Sequence, residues 1–399
     1  MFEKENFIIL LAESIHKNGI PAHRLENTMQ MVCESIGVEA DFSATPELLL
    51  ISFSTSGSSK THMKKCKGSD LNFEKMTLLD QLIEKVMKGQ LSIEAAKEEL
   101  ERINTLPKRY GALVNILSIG VSTSSAACLF GGGWTEILIS VTIGLVIGIL
   151  MELLAFLPNL SRLAVLFSAT FAIFFAKWSV VWAGEYSIEI ATITGLILLI
   201  PGFSLSLSVT ELANGHAQSG TIRFSNALVT FVMIAVGIGL GNNLAAQFEL
   251  TPSLVHFSEI PKWMSYIAIV LVPAGFVVLF KAQIKHYHWM LLSCITSYYS
   301  VSYFSSFNIG ELSVFFAAFS LGLVSNSLSR FIKQPVTLML VPGIILLVPG
   351  SIGFKSISAL VNDQTLNGIE SAFSTLVLAA SLTAGLLFSN MIVRLNRGF

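Results

Sequence analysis

The chain has 399 residues, of which 53% are hydrophobic and only 13% charged, with a net charge of -1; an ordinary soluble protein carries roughly 25% charged residues. Thirty of the 51 charged residues fall within 1–110, leaving 21 for the other 289. That distribution excludes a wholly soluble globule and gives no basic surface for nucleic acid. It points to an all-α polytopic membrane protein preceded by a small α+β domain. Lys64, Lys65 and Lys67 form a basic cluster, read as a solvated loop.

Residues 5–18 place Phe7, Ile8, Leu11 and Ile15 at helical spacing. Gly19 and Pro21 end that helix, and a second is expected from Ala22 to Ile36, stopped by Gly37. ELLLISFSTS at 47–56 reads as a buried strand, with a further strand around 60–66 and helices at about 73–88 and 92–104. Ser92 is the expected N-cap of the last helix, since its hydroxyl can accept a free backbone N–H. No catalytic constellation stands out. His16 and His23 fit ordinary capping or surface roles better than ligand roles. Glu3, Glu5 and Glu13 lie in the first twenty residues, unlike a secretory leader, so this domain is expected in the cytoplasm. Cys33, Cys66, Cys128 and Cys294 lack metal-site or disulfide spacing.

From residue 111 onward the sequence offers stretches of about 20 apolar residues, the length that crosses a bilayer. Ten spans are expected, at about 111–130, 136–157, 161–182, 187–207, 221–244, 263–281, 288–306, 311–329, 335–353 and 370–393. Trp134, Trp178, Trp182, Trp263 and Trp289 fall near their ends, as interfacial anchors do. With both termini inside, Lys108, Arg109, Arg162, Arg223, Lys281, Lys285, Arg330, Lys333, Arg394 and Arg397 are cytoplasmic, and Lys177, Lys262 and Lys355 are not. This satisfies the positive-inside rule.

GLILLIPG at 195–202 recurs as GIILLVPG at 343–350, an offset of 148. The same offset aligns Ser208 with Ser356, Leu212 with Leu360, Asn214 with Asn362, Gly220 with Gly368 and Val229 with Val377. Five spans on each side of the middle loop place the halves, 111–247 and 248–399, in opposite orientations. Inverted repeats of this kind build secondary transporters, with the site near the midplane. Pro201–Gly202 and Pro349–Gly350 can each break a helix, because proline removes a donor and glycine tolerates irregular backbone.

LLIPGFSLSLSVTELANGHAQSGTIRF at 198–224 and LLVPGSIGFKSISALVNDQTLNGIESAF at 346–373 resemble the threonine/serine exporter family. So do FGGGW at 130–134 and GQLSIEAAKEELERI at 89–103. The chain is similar to the fused form, in which one polypeptide carries both halves. The resemblance implies proton-driven export of threonine and serine. Some split-chain relatives are associated with succinate-like dicarboxylates.

No phosphate-binding GxxxxGK[ST] occurs, so ATP-driven transport within the chain is not expected. No cofactor or metal is expected, and no enzymatic motif appears. Ionisable residues inside a membrane are costly and mark proton or substrate pathways. The candidates are Glu152, Glu211, His216 and Arg223, with Lys355 and Asp363 in the second half. Glu211 is the leading proton carrier and His216 its partner. Asn214, Asn226, Ser204, Ser206, Ser208, Ser351 and Asn362 could contact a small polar substrate, or simply bridge helices. Expected partners are a small amino acid or carboxylate, the lipid bilayer and possible further copies of the chain. The competing classes are a dicarboxylate exporter and a channel or scaffold controlled by the soluble domain.

Overall fold

The computed structural model describes all residues except 1, 56–57, 67–70, 158–159, 161–162, 249–259, 333, 348–349, 363 and 394–399. Among the sequence candidates, Pro349 and Asp363 lie outside the described residues, as do the basic positions Arg162, Lys333, Arg394 and Arg397.

The N-terminal module contains α1 (Phe2–Lys17), α2 (Ala22–Ile36), β1 (Ala40–Ala44), β2 (Leu48–Thr55), β3 (Ser58–Lys65), α3 (Phe73–Met87) and α4 (Ile93–Thr105). The strands form one antiparallel sheet in the order β1-β2-β3. Gly37 ends α2 with φ of 69°, a left-handed cap that returns its N–H to the helix carbonyls. Ser92 caps α4 by accepting from Ala95 N at 3.2 Å, as its position foretells. Strand β1 was not expected. ADFSA is short and weakly apolar, and pairing with β2 rather than its own propensity makes it a strand.

Among the described residues, nine helices run from Ala112 to Ile332. They are α5 (Ala112–Leu129), α6 (Trp134–Ala155), α7 (Ala164–Ala183), α8 (Ile188–Gly195), α9 (Gly202–Ala213), α10 (Ala217–Ala246), α11 (Met264–Leu279), α12 (Tyr287–Ser305) and α13 (Leu312–Ile332). The rest are α14 (Thr337–Leu347), α15 (Gly350–Val361) and α16 (Thr365–Ile392). Among the described residues, seven helical stretches are long and apolar enough to cross a membrane, fewer than the ten spans expected. The difference has physical causes. The 187–207 stretch is interrupted at 196–201, and neither piece is long enough alone. Helix α11 has 16 residues, and α12 carries many serines and tyrosines.

The repeat seen in sequence recurs in backbone bonding. His216 N donates to Glu211 O at 2.9 Å and Gly220 N to His216 O at 3.0 Å. At the 148-residue offset, Gln364 N donates to Ala359 O at 2.9 Å and Gly368 N to Gln364 O at 2.9 Å. Helix α7 packs along α10, and α13 packs along α16 in the same way. Each pair approaches closely at a glycine, Gly237 and Gly385, again 148 apart. A Cβ on Gly237 would lie 2.7 Å from Leu166 O, and one on Gly385 2.3 Å from Phe315 O. Only a residue without a Cβ lets these backbones meet.

The N-terminal module rests on the helical region at two corners. Phe73 N donates to Phe280 O at 2.9 Å, and Tyr110 Oη donates to Ala282 O at 2.7 Å, beside the α11–α12 connection. The Phe73 and Phe280 rings meet at a tilt of 46° with centroids 5.3 Å apart, and one apolar core runs from Phe7 and Leu25 into Phe276 and Met290. The other corner is α2 on α9 and α10.

Candidate functional site

Helix α9 presents Phe203, Ser206, Leu207, Thr210 and Asn214 to a cavity of about 420 Å³. Their spacing of 3, 4, 7 and 11 is one helix face. Helix α14 supplies Thr337, Leu340, Val341 and Ile344, and α16 supplies Leu382, Leu386 and Asn390. The remaining wall belongs to the N-terminal module, where Pro21, His23, Arg24, Asn27 and Met31 come from α2. The volume falls within the roughly 300–1,000 Å³ of small-molecule sites. Helix α9 begins directly after the interrupted 196–201 stretch.

Most of the wall is apolar, and its polar groups divide into satisfied and unsatisfied. Thr210 Oγ1 donates to Ser206 O at 2.9 Å and meets Thr383 Oγ1 at 3.1 Å. Asn214 Nδ2 donates to Thr210 O at 2.7 Å. In contrast, Ser206 Oγ, Thr337 Oγ1, Arg24 Nη1 and His23 Nδ1 are enclosed without a hydrogen-bond partner among the described residues. Buried polar atoms are ordinarily paired, so orphans around one chamber call for an explanation. No Asp or Glu is among the described residues lining the chamber.

Glu211 lies beside the chamber, fully buried at the end of α9. Its carboxylate accepts from Arg223 Nε at 2.9 Å, Ser219 Oγ at 2.7 Å and Ala22 N at 3.1 Å. The last bond spans 189 residues and joins the first residue of α2 to the helical region. Glu211 therefore sets where Arg24, two residues further on, is presented. His216 Nδ1 faces Glu26 Oε2 at 3.4 Å, and its ring lies 6.0 Å from that of His23. Glu26 also accepts from Ala44 N at 2.8 Å.

Burial raises the Glu26 carboxyl, against the lowering effects of the Ala44 N–H and His216. Burial pushes His23 down to about 3, helped by the charges of Arg24, His216 and Arg223. Burial also lowers Arg24, to about 10. His16 is lowered chiefly by burial, although its Nε2 lies 2.6 Å from Thr45 O.

The other sequence candidates are placed elsewhere. Pro201 and Gly202 form the break ahead of α9, with Gly202 N donating to Ile200 O at 2.8 Å. Gly350 is buried at the start of α15. Glu152 accepts from Asn115 Nδ2 at 3.2 Å on α5, away from the cavity lining. Lys355 faces Glu189 at 3.4 Å on an exposed edge between α15 and α8. Asn362 is exposed at the end of α15, and Asn226 is exposed on α10. Ser208 donates to Leu205 O at 2.6 Å and does not line the cavity. Three residues were missed in the sequence. Arg24 and Glu26 sit on a solvated-looking helix with no local signal. Glu136 is 3% exposed and accepts from Gly133 N and Ser187 N at 2.9 and 2.8 Å, tying the starts of α6 and α8 together.

These features define a polytopic helical membrane protein with a small-molecule chamber beside an interrupted helix. The chain belongs to the threonine/serine exporter family: the ThrE model of a threonine/serine exporter matches residues 6–245, and a second model, "Threonine/Serine exporter, ThrE", matches 263–392. It is similar to pheromone-regulated membrane protein 10 of Kluyveromyces lactis, 25% identical over 100% of this chain and 43% of that protein. The protein of that name from Eremothecium gossypii is 23% identical over 100% of this chain and 55% of its own length. The Candida albicans protein is 24% identical over 89% and 33%. The chain thus spans about half or less of the length of these curated relatives. No solved structure matches it.

Proposed function

We propose that this chain is a secondary exporter of threonine and serine, driven by the proton motive force. The observation that carries the proposal is the chamber between α9, α14 and α16, roofed by α2. In this reading the membrane region has ten crossings in two inverted sets of five, with both termini cytoplasmic. The shared hydrogen bonds at an offset of 148 support the repeat, and the interrupted segment ahead of α9 matches the build of secondary transporters. The chamber then opens towards the cytoplasm, where substrate is collected, and the N-terminal module covers its mouth. Glu211 and His216, with Arg223 and Glu26, form the group through which a proton would be exchanged.

A second reading, export of a succinate-like dicarboxylate, is favoured by one observation. Among the described residues the lining includes a guanidinium and no carboxylate to meet an ammonium group. Efflux from proteoliposomes loaded with labelled threonine, serine or succinate, with and without an imposed pH gradient, separates the readings. Threonine and serine efflux accelerated by the gradient is expected. Efflux of succinate alone would favour the second reading, and efflux of none of the three would sink both.

A further inference from the structure

We propose that the substrate's carboxylate is bound by Arg24, so that the N-terminal module contributes a residue to the transport site rather than only covering it. The inference rests on the export reading and deepens it. Three orphan donors line the chamber from three different elements. They are Arg24 Nη1 on α2, Ser206 Oγ on α9 and Thr337 Oγ1 on α14. Ser206 and Thr337 are 2% and 6% exposed, so neither hydroxyl has bulk water to fall back on. Leaving a buried donor unsatisfied costs about 1–3 kcal/mol, more for a charged one. A carboxylate offers the acceptor lone pairs that a guanidinium and two hydroxyls lack, and Arg is the side chain whose planar fork suits it.

The surroundings fit an anion more narrowly than a general polar ligand. Among the described residues no acidic side chain lines the chamber, so none of them competes for the Arg24 charge there. The nearest carboxylates are already engaged. Glu211 is held by Arg223, Ser219 and Ala22, while Glu26 takes the Ala44 N–H and faces His216. The Glu211–Ala22 bond then acquires a role. It ties the first residue of α2 to the end of α9, on the two helices that bring Arg24 and Ser206 to the chamber wall. Bound carboxylate would complete a contact between α2, α9 and α14, and release of α2 would dismantle the site. Glu211 is in that sense a positioning residue for Arg24.

The test uses the full chain in lipid nanodiscs. Binding is measured calorimetrically for threonine, serine and succinate, for the methyl esters of the two amino acids and for threoninol, which lacks the carboxyl group. The wild-type chain is expected to bind at least one free carboxylate and to lose at least tenfold in affinity for its ester or alcohol counterpart. That comparison needs no variant and so does not depend on a variant folding. Arg24→Gln is expected to lose tenfold or more, Arg24→Lys less, and Ser206→Ala and Thr337→Val severalfold each. Retention of threonine binding and efflux at unchanged KM in Arg24→Gln would overturn the inference while leaving the exporter reading intact. Binding of succinate alone, abolished in Arg24→Gln, would overturn the amino-acid reading and keep the inference. Equal affinity for acid and ester, or binding of no carboxylate at all, would overturn the inference.

Discussion

At 211, 219 and 223 the first half carries Glu, Ser and Arg, whereas 148 residues on the second half carries Ala359, Asn367 and Ser371. His216 is likewise matched by Gln364. Yet the backbone around both sets is bonded alike, and close helix crossings use Gly237 and Gly385 in the same role. At these positions the backbone pattern recurs and the ionisable chemistry does not. A second contrast concerns space. Ser206 and Thr337 border the chamber, while their counterparts at the same offset are Phe354 and Glu189. Phe354 is 2% exposed and packs in one cluster with Phe231, Leu196 and Ile234. Beside it Lys355 and Glu189 bridge α15 and α8. Where one half leaves a cavity, the related place is filled by aromatic rings and edged by an ion pair. Such an arrangement is what a two-state carrier needs, with one side open while its counterpart is closed.

The largest test of this contrast exchanges the chemistry of one half for the other. Removing Glu211 strands the Arg223 charge in a site where its side chain is 16% exposed. Breaking a buried pair from one side costs about 3–5 kcal/mol. Glu211→Ala and Arg223→Ser are each expected to destabilise the chain by that order in denaturant titrations in micelles. The double variant, which installs what the second half carries, is expected to recover most of the loss. A double variant as unstable as the sum of the singles would mean that the pair is not the unit that distinguishes the halves.

The shared scaffold predicts a smaller and symmetrical effect. Gly237→Ala and Gly385→Ala each push a methyl group against backbone of the facing helix, 2.7 Å from Leu166 O and 2.3 Å from Phe315 O. Overpacking of this sort costs about 1–3 kcal/mol. Similar losses at both sites are expected, and tolerance at one alone would break the equivalence.

His23 sharpens the contrast through pH. Its value in the folded chain is about 3, below the ordinary 6.5, because burial and nearby cations oppose its charge. The docked module thus binds fewer protons than the released one. Its contribution is complete above about pH 6.5 and is lost as pH falls from there towards 3, by at most about 1.4 kcal/mol per unit. Glu26 acts with the opposite sign. Its raised value makes the docked form bind more protons above the ordinary carboxyl range, so docking gains there as pH falls. Protection factors of α2, after correction for the pH dependence of intrinsic amide exchange, are expected to fall between pH 7.5 and 5.5, and to fall less in His23→Gln. An unchanged slope in that variant would remove His23 from the docking equilibrium.

The duplicated features were legible in the sequence because they are local. Proline–glycine pairs, glycine positions and apolar runs carry their own conformational rules, and an offset of 148 residues exposes them. The helix boundaries of the N-terminal module and the Ser92 cap were readable on the same grounds. What could not be read was the partner of Glu211, because a bond from Ala22 across 189 residues leaves no local trace. Arg24 was hidden for the same reason, as a charged residue on a helix that looks solvated when taken alone. One usable signal was present. Comparing the halves singles out Glu211 against Ala359, His216 against Gln364 and Ser206 against Phe354, which is where the chamber and its ion pair lie. Glu152 and Asn362 were chosen for polarity within apolar surroundings, and that criterion does not tell a helix-bridging group from a chamber wall.

The smallest effect concerns the filled counterpart of the chamber. Lys355 and Glu189 stand 3.4 Å apart with their side chains 53% and 52% exposed, and exposed pairs contribute about 0–1 kcal/mol. A double-mutant cycle with Lys355→Ala and Glu189→Ala is expected to give a coupling below about 1 kcal/mol in global stability, falling with salt. Local opening is the better readout, because even about 1 kcal/mol changes a two-state ratio about fivefold. A cysteine placed at Ile352, on the same helix, is expected to react faster with a hydrophilic maleimide once Lys355 is replaced, while a cysteine at Leu207 beside the chamber reacts more slowly. Faster reaction at both sites would indicate simple loosening. Reciprocal change would show that opening at one place is closing at the other, the behaviour expected of two related halves sharing one pathway.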